Sequence, residues 1–170
     1  MLVLGFDPGT ATTGYGVVEG RGTRLRHVVH GIISTPAGQP FSERLATIFR
    51  ESRGLLSRYQ PDAIALEKVY FARNVTTAIS VIQARGVIAL AAALASRPIG
   101  EFSPLEMKNA VVGYGKATKR QIQEMVKILL NMDQVPKPDD AADALALAIC
   151  QIHAGRYASV TETQSLRNSR

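Results

Sequence analysis

Hydrophobic and polar positions follow two periods along this chain, and the places where the period changes predict its elements. Residues 2–6 are a short apolar run, residues 13–18 carry Tyr15, Val17 and Val18 among glycines, and residues 25–33 are rich in valine and isoleucine. Three strands are expected there, broken by Asp7-Pro8-Gly9-Thr10 and by a hairpin turn at Gly20-Arg21-Gly22. The period then lengthens. Leu45, Ile48, Phe49, Leu55, Leu56 and Tyr59 recur at helical spacing after Ser42, a candidate cap, and Pro61 stops that helix. Residues 63–66 read as a fourth strand ending at Glu67. A long helix over 75–96 follows, with Val75, Ile79, Ile82, Gly86, Leu90 and Leu94 as its expected core stripe, and Pro98 closes it. Residues 99–102 predict a fifth strand. Thr118 and Gln121 form a capping box ahead of Ile122, Met125, Val126 and Leu129, and Pro138 at a first helical position opens a last helix that runs to Gly155. Three sequential strands followed by alternating helices and strands predict an α/β layered fold with a mixed sheet, its first three strands antiparallel.

At 170 residues the chain has the size of one domain, expected over 1–156, and residues 157–170, poor in large apolar side chains, are expected to form a disordered tail. Composition excludes several classes. With 46% hydrophobic and 20% charged residues, disorder of the whole chain, coiled coil and collagen-like structure are ruled out. The longest run without a polar side chain, residues 86–95, is too short to span a bilayer, and the start lacks the flanks of a signal peptide, so a cytoplasmic location is expected. Cys150 stands alone, which permits no internal disulfide and no cysteine-based zinc site. A net charge of +6 favours a polyanionic partner.

Candidate chemistry lies in the acids. Asp7 and Glu67 each follow an apolar strand, and strand ends form the ligand crevice of open α/β sheets. Asp7 also reads as a turn residue bonding its own backbone, and Glu67 as an exposed strand end. Asp140 and Asp143 are neighbours on one face of a helix that is apolar almost all round, and such a helix is buried. Asp139 and Asp140 also suit the positive end of the helix dipole, whereas Asp143 lies deeper, where a lone charge is costly. Four converging carboxylates are the hard-oxygen setting that Mg²⁺ or Mn²⁺ prefers.

Five blocks carry a resemblance. Gly5-Phe6-Asp7-Pro8-Gly9, Ala65-Leu66-Glu67-Lys68-Val69-Tyr70-Phe71, Gln83-Ala84-Arg85-Gly86-Val87, Val111-Val112-Gly113-Tyr114-Gly115 and Asp140-Ala141-Ala142-Asp143-Ala144-Leu145-Ala146 together resemble the RuvC family of Holliday junction resolvases, in the family's order. The resemblance implies a ribonuclease H-like α/β fold, a mixed five-stranded sheet with helices on both faces. It implies a homodimer that cuts two strands of four-way junction DNA, in recombination and repair, with Mg²⁺, two ions per site, or Mn²⁺. Asp7, Glu67, Asp140 and Asp143 would be the catalytic and metal-binding carboxylates; Asp140 is chosen over Asp139 for its spacing from Asp143. A branch-migration motor of the RuvA and RuvB type is an implied partner.

Between Lys108 and Lys127, the cations Lys108, Lys116, Lys119, Arg120 and Lys127 face the single acid Glu124, a plausible phosphate-binding surface. Lys108 and Lys119 match positions of DNA-contacting lysines in the resembled family, with Lys116 and Arg120 ranked after them. Tyr70 matches a DNA-stacking aromatic, and Arg73 and Asn74 lie beside it. Arg21, Arg24 and Arg26 form a second basic cluster, read as a solubility feature. His27, His30 and His153 fall outside the blocks, and Cys150 is expected in the core. A phosphate-loop ATPase of the actin and sugar-kinase type would need a second such domain. Another ribonuclease H-like nuclease, acting on duplex or hybrid, remains the alternative.

Overall fold

The computed structural model describes the backbone of residues 1–68 and 75–168, with side chains over 1–68 and 78–155. Five strands form one sheet in the order β3-β2-β1-β4-β5. β1 (Leu2–Asp7), β2 (Thr12–Arg21) and β3 (Arg24–Ser34) are an antiparallel meander; β4 (Ala63–Glu67) lies parallel to β1, and β5 (Ile99–Phe102) parallel to β4. The mixed sheet expected from the element order is therefore present.

Alternation along the strands sends side chains to two layers. Leu4, Phe6, Ile64 and Leu66 pack with α1 (Phe41–Tyr59) and α2 (Val75–Leu94), while Val3, Val18 and Ala65 pack with α3 (Pro104–Val112), α4 (Lys119–Leu129) and α5 (Asp139–Asn168). Over residues 141–152 α5 is buried nearly all round, as its sequence predicts: Ala141, Ala142, Ala144 through Cys150 and Ile152 are at most 1% exposed. It lies tight on the sheet because the strands beneath it carry glycine. A Cβ on Gly5 would collide with the Ala144 carbonyl oxygen, and one on Gly14 with the Asp140 carbonyl oxygen.

Four expectations need correction. α1 starts at Phe41 with Pro40 at its N-cap and no side-chain cap, so Ser42 lies inside the first turn. On α2, Ile79 and Leu90 are 51% exposed and Leu94 65%, so the stripe read as core-facing is largely the outer one; Ala84, Ile88, Ala91 and Ala92 turn inward. The reason is complementary size: the sheet already supplies Leu4, Phe6, Ile64 and Leu66, and small helix residues let the layers approach. α3, not expected, is opened by a full capping box, with Ser103 accepting from the Glu106 amide and Glu106 accepting from the Ser103 amide. Finally, α5 starts at Asp139, after Pro138, and its helical backbone continues past Gly155 to Asn168. No proline interrupts the ladder there, and one glycine costs a helix only about 1 kcal/mol, so the tail expected to be disordered is helical over those residues.

Candidate functional site: a carboxylate cluster at the end of the central strands

β1 and β4 run in the same direction, so Asp7 and Glu67 end adjacent strands at the same edge of the sheet. Alternation with buried Phe6 and Leu66 sends both carboxylates to the α5 side. Gly14 is the β2 partner of Asp7 and lies directly under the Asp140 carbonyl, which brings the first turn of α5 over Asp7. Asp143 follows one turn deeper. The turn after Asp7 is bonded from elsewhere: the buried Thr13 hydroxyl donates to the Gly9 carbonyl at 2.7 Å, and Thr35 donates to the Thr10 carbonyl while accepting from Arg44 Nε at 2.8 Å. Asp7 is thus spared for the site.

Electrostatics show how closely the acids crowd. Burial, then the charges of Asp143, Glu67 and Asp140, raise the Asp7 pKa to about 7, with Lys119 opposing. Burial and then Asp143 also raise Glu67 above the usual carboxylate range. Asp143 is raised chiefly by burial, although Lys119 pulls it down. Lys119 Nζ lies 3.1 Å from Asp143 Oδ2 and 3.4 Å from Asp139 Oδ2. Burial lowers the Lys119 pKa, but these carboxylates outweigh it and the ammonium is held above its usual value. Asp139 is 63% exposed and also accepts from Gln123 Nε2 at 2.9 Å, so the structure brings Asp140 rather than Asp139 to Asp7. The raised acids Asp7, Glu67 and Asp143, gathered at one edge of the sheet, make this the candidate site.

The donor set fits a hard divalent cation: four carboxylates at the positive end of α5, whose repulsion a cation would relieve. As the side chains stand, no three His, Cys, Asp or Glu residues converge at metal-ligand spacing among the described residues. Lys119 fills the counter-ion role, pairing with Asp143.

The other expected contacts divide. Lys108 lies half-buried on α3, Lys116 is exposed in the α3–α4 connection, and Arg120 is exposed beside Lys119 in the first turn of α4. Tyr70, Arg73 and Asn74 lie outside the described residues. In the second basic cluster a single acid, Glu19, pairs with Arg21 at 2.5 Å and Arg26 at 2.6 Å, offsetting one of its three positive charges. Cys150 is buried, with its thiol pushed up to about 12 by burial. Sequence reading missed the pairing of His27 and His30, whose ring nitrogens lie 2.8 Å apart on β3, and the Thr13 and Thr35 ties; only fold-level register reveals them.

A family model described as crossover junction endodeoxyribonuclease RuvC matches residues 3–151. A relative of that name from Syntrophomonas wolfei is 49% identical over 167 residues, covering 98% of this chain and 97% of its own. One from Desulfitobacterium hafniense is 52% identical over 153 residues, covering 90% and 93%. The structure of Thermus thermophilus RuvC in complex with Holliday junction substrate superposes with a TM-score of 0.89 at 33% identity, covering 93% of this chain and 96% of that one. The ribonuclease H-like arrangement expected from the sequence is present, and the chain belongs to the RuvC family of crossover junction endodeoxyribonucleases.

Proposed function

We propose that this chain is a metal-dependent endonuclease that resolves four-way DNA junctions in recombination and repair, acting as a homodimer on chromosomal DNA in the cytoplasm. The observation that carries the reading is the placement of Asp7 and Glu67 at the ends of adjacent parallel strands beneath the first turns of α5, where burial and then the charges of Asp143, Glu67 and Asp140 raise the Asp7 pKa to about 7. Support comes also from the relatives' names and from the likeness to a RuvC bound to junction substrate.

Hydrolysis adds water to phosphorus and breaks its bond to the departing 3′ oxygen. Divalent ions, two of Mg²⁺ in our reading, supply charge neutralisation and activation of water when bound. The four carboxylates would hold them. Lys119, kept cationic by its acidic neighbours, orients Asp143 and can turn its ammonium to a phosphate oxygen. Lys108, Lys116 and Arg120 neutralise backbone phosphates along α3, its connection and α4. Tyr70, Arg73 and Asn74 are proposed to meet the junction from the segment after β4.

Two symmetric cuts require two sites, hence two chains about a twofold axis. The outer stripe of α2, with Ile79, Leu90 and Leu94 all at least half exposed, is the face we assign to that contact. A branch-migration motor of the RuvA and RuvB type is the proposed partner on the same junction. Incubation of the protein and Mg²⁺ with a four-way junction, a duplex and an RNA·DNA hybrid tests the reading. Paired nicks in the junction alone are expected; cleavage of duplex or hybrid with the junction spared would overturn it in favour of another ribonuclease H-like nuclease.

A further inference from the structure

We propose that Arg85 is a positioning residue for Glu67, tying down the end of β4 from the face of the sheet opposite the site. The inference rests on the nuclease reading above and assigns a role within it to the block Gln83-Ala84-Arg85-Gly86-Val87, which the carboxylates leave without one. Arg85 is on α2, in the layer behind the sheet, whereas Asp7 and Glu67 project toward α5. Its Nε donates to the carbonyl oxygen of Glu67 at 3.1 Å. A terminal guanidinium nitrogen lies 2.6 Å from Glu101 Oε1 on β5, and the Arg85 side chain is only 21% exposed.

The sheet explains why a side chain is needed there. Ile64 and Lys68 give their amides to the carbonyls of Pro98 and Phe102 on the β5 side. Strand residues alternate, so Glu67 turns its own carbonyl away from β5, toward β1. The parallel register Phe6↔Leu66 makes residue 8 the next β1 donor in line, and residue 8 is proline, with no N–H to give. The turn that presents Asp7 thus deprives its neighbour Glu67 of a ladder bond, and Arg85 supplies the donor. Glu101 holds the guanidinium in place, and the planar fork serves both partners at once, which a lysine ammonium on a flexible stem does not reproduce. Without the tie, the end of β4 keeps its bond to β5 through Lys68 but loses the donor to the Glu67 carbonyl, on the residue whose carboxylate must meet Asp7.

Single-turnover cleavage of a synthetic four-way junction with saturating protein and Mg²⁺ measures the effect, with junction affinity read separately in Ca²⁺. Arg85→Ala is expected to slow cleavage about tenfold or more, as displaced catalytic groups do, while junction affinity and melting temperature stay near wild type. Added guanidinium ion should restore part of the rate, and Arg85→Lys should recover little of it. Wild-type cleavage by Arg85→Ala overturns the proposal. So does a loss explained wholly by weaker junction binding, which would make Arg85 a DNA contact, or a loss that tracks melting temperature without guanidinium rescue. If Arg85→Ala does not fold, Arg85→Lys carries the same test. A wild-type protein that cuts no junction sinks the nuclease reading instead; the tie is then judged by the Arg85 Nε–H resonance, expected to exchange slowly and to shift on Glu101→Gln, and a rapidly exchanging signal would refute it.

Discussion

Lys119 Nζ lies 3.1 Å from Asp143 Oδ2, so the acid one turn into α5 is paired with the first residue of α4. That pairing makes a lysine and a divalent cation competitors for one carboxylate. Both partners are at least partly exposed, at 52% and 20%, and the pair is correspondingly weak against an ion of higher charge.

Replacing Lys119 by Ala should therefore push two measurements in opposite directions. Mg²⁺ affinity of the DNA-free protein, measured by calorimetry, should rise a few-fold as the competing ammonium is removed. Junction affinity should fall, with its salt slope reduced by about one per lost phosphate contact. Lys108→Ala should lower the slope without changing Mg²⁺ affinity. Unchanged Mg²⁺ binding in Lys119→Ala would mean that the pair with Asp143 has no bearing on the metal.

The carboxylates should separate catalysis from binding. Asp7→Asn, Glu67→Gln, Asp140→Asn and Asp143→Asn remove charge but keep shape, so junction gel shifts should persist while nicking falls by about a hundredfold or more. Asp139→Asn should cleave nearly normally, because Asp139 is exposed and engaged by Gln123 and Lys119. A dead Asp139→Asn beside an active Asp140→Asn would reverse that assignment.

Asp7 also sets a pH dependence. Its pKa is raised to about 7, first by burial and then by Asp143, Glu67 and Asp140, so the folded chain binds this proton more tightly than the unfolded one. The stability it contributes is complete below about pH 4 and is lost as pH rises through about 7, and raised Glu67 and Asp143 act in the same direction. Burial lowers the pKa of His27 and His30, which opposes this over part of the window, so the difference between variant and wild type is the quantity to follow. Without divalent ions, Asp7→Asn should melt above wild type at about pH 8, and the gap should close toward about pH 4. Mg²⁺ binding at about pH 6 should release protons, because Asp7 must ionise to bind. A constant gap across pH would show that Asp7 holds no proton near neutrality.

Much of this was legible because local signals and burial agree. The five strands and the antiparallel pairing of the first three followed from apolar runs and turn residues, α4 from the Thr118–Gln121 box, and the buried character of α5 from its apolar surface. The acids of the cluster were legible too, because a charge such as Asp143 on a buried helix needs a reason. The orientation of α2 was not, since a helix apolar on every side has no amphipathic signal, and only the bulk of Phe6 and Leu66 opposite decides that alanines face in. The Ser103–Glu106 box marks the start of α3 by the same local signal that Thr118 and Gln121 give for α4. Arg85 and Thr35 act through backbone carbonyls of Glu67 on β4 and of Thr10 in the β1–β2 turn, and no local pattern encodes such partners.

The outward turn of that α2 stripe yields the last prediction. Ile79, Leu90 and Leu94 leave apolar area in water on one helix face, while Ala84 and Ile88 on the other already fill the layer beneath. A second copy covering the stripe through a twofold axis would bury it and set two carboxylate clusters on one junction. Sedimentation at micromolar concentration should give twice the protomer mass. Leu90→Glu places a charge on the stripe, half exposed in the protomer, and should leave a folded monomer with an unchanged circular dichroism spectrum. That monomer should still nick, since each chain holds its own carboxylates, but on a supercoiled cruciform plasmid its products should be singly nicked circles rather than linear molecules cut in both strands. Paired cutting by a monomeric Leu90→Glu, or a wild-type protein that stays one chain per junction, would refute the assignment of this face.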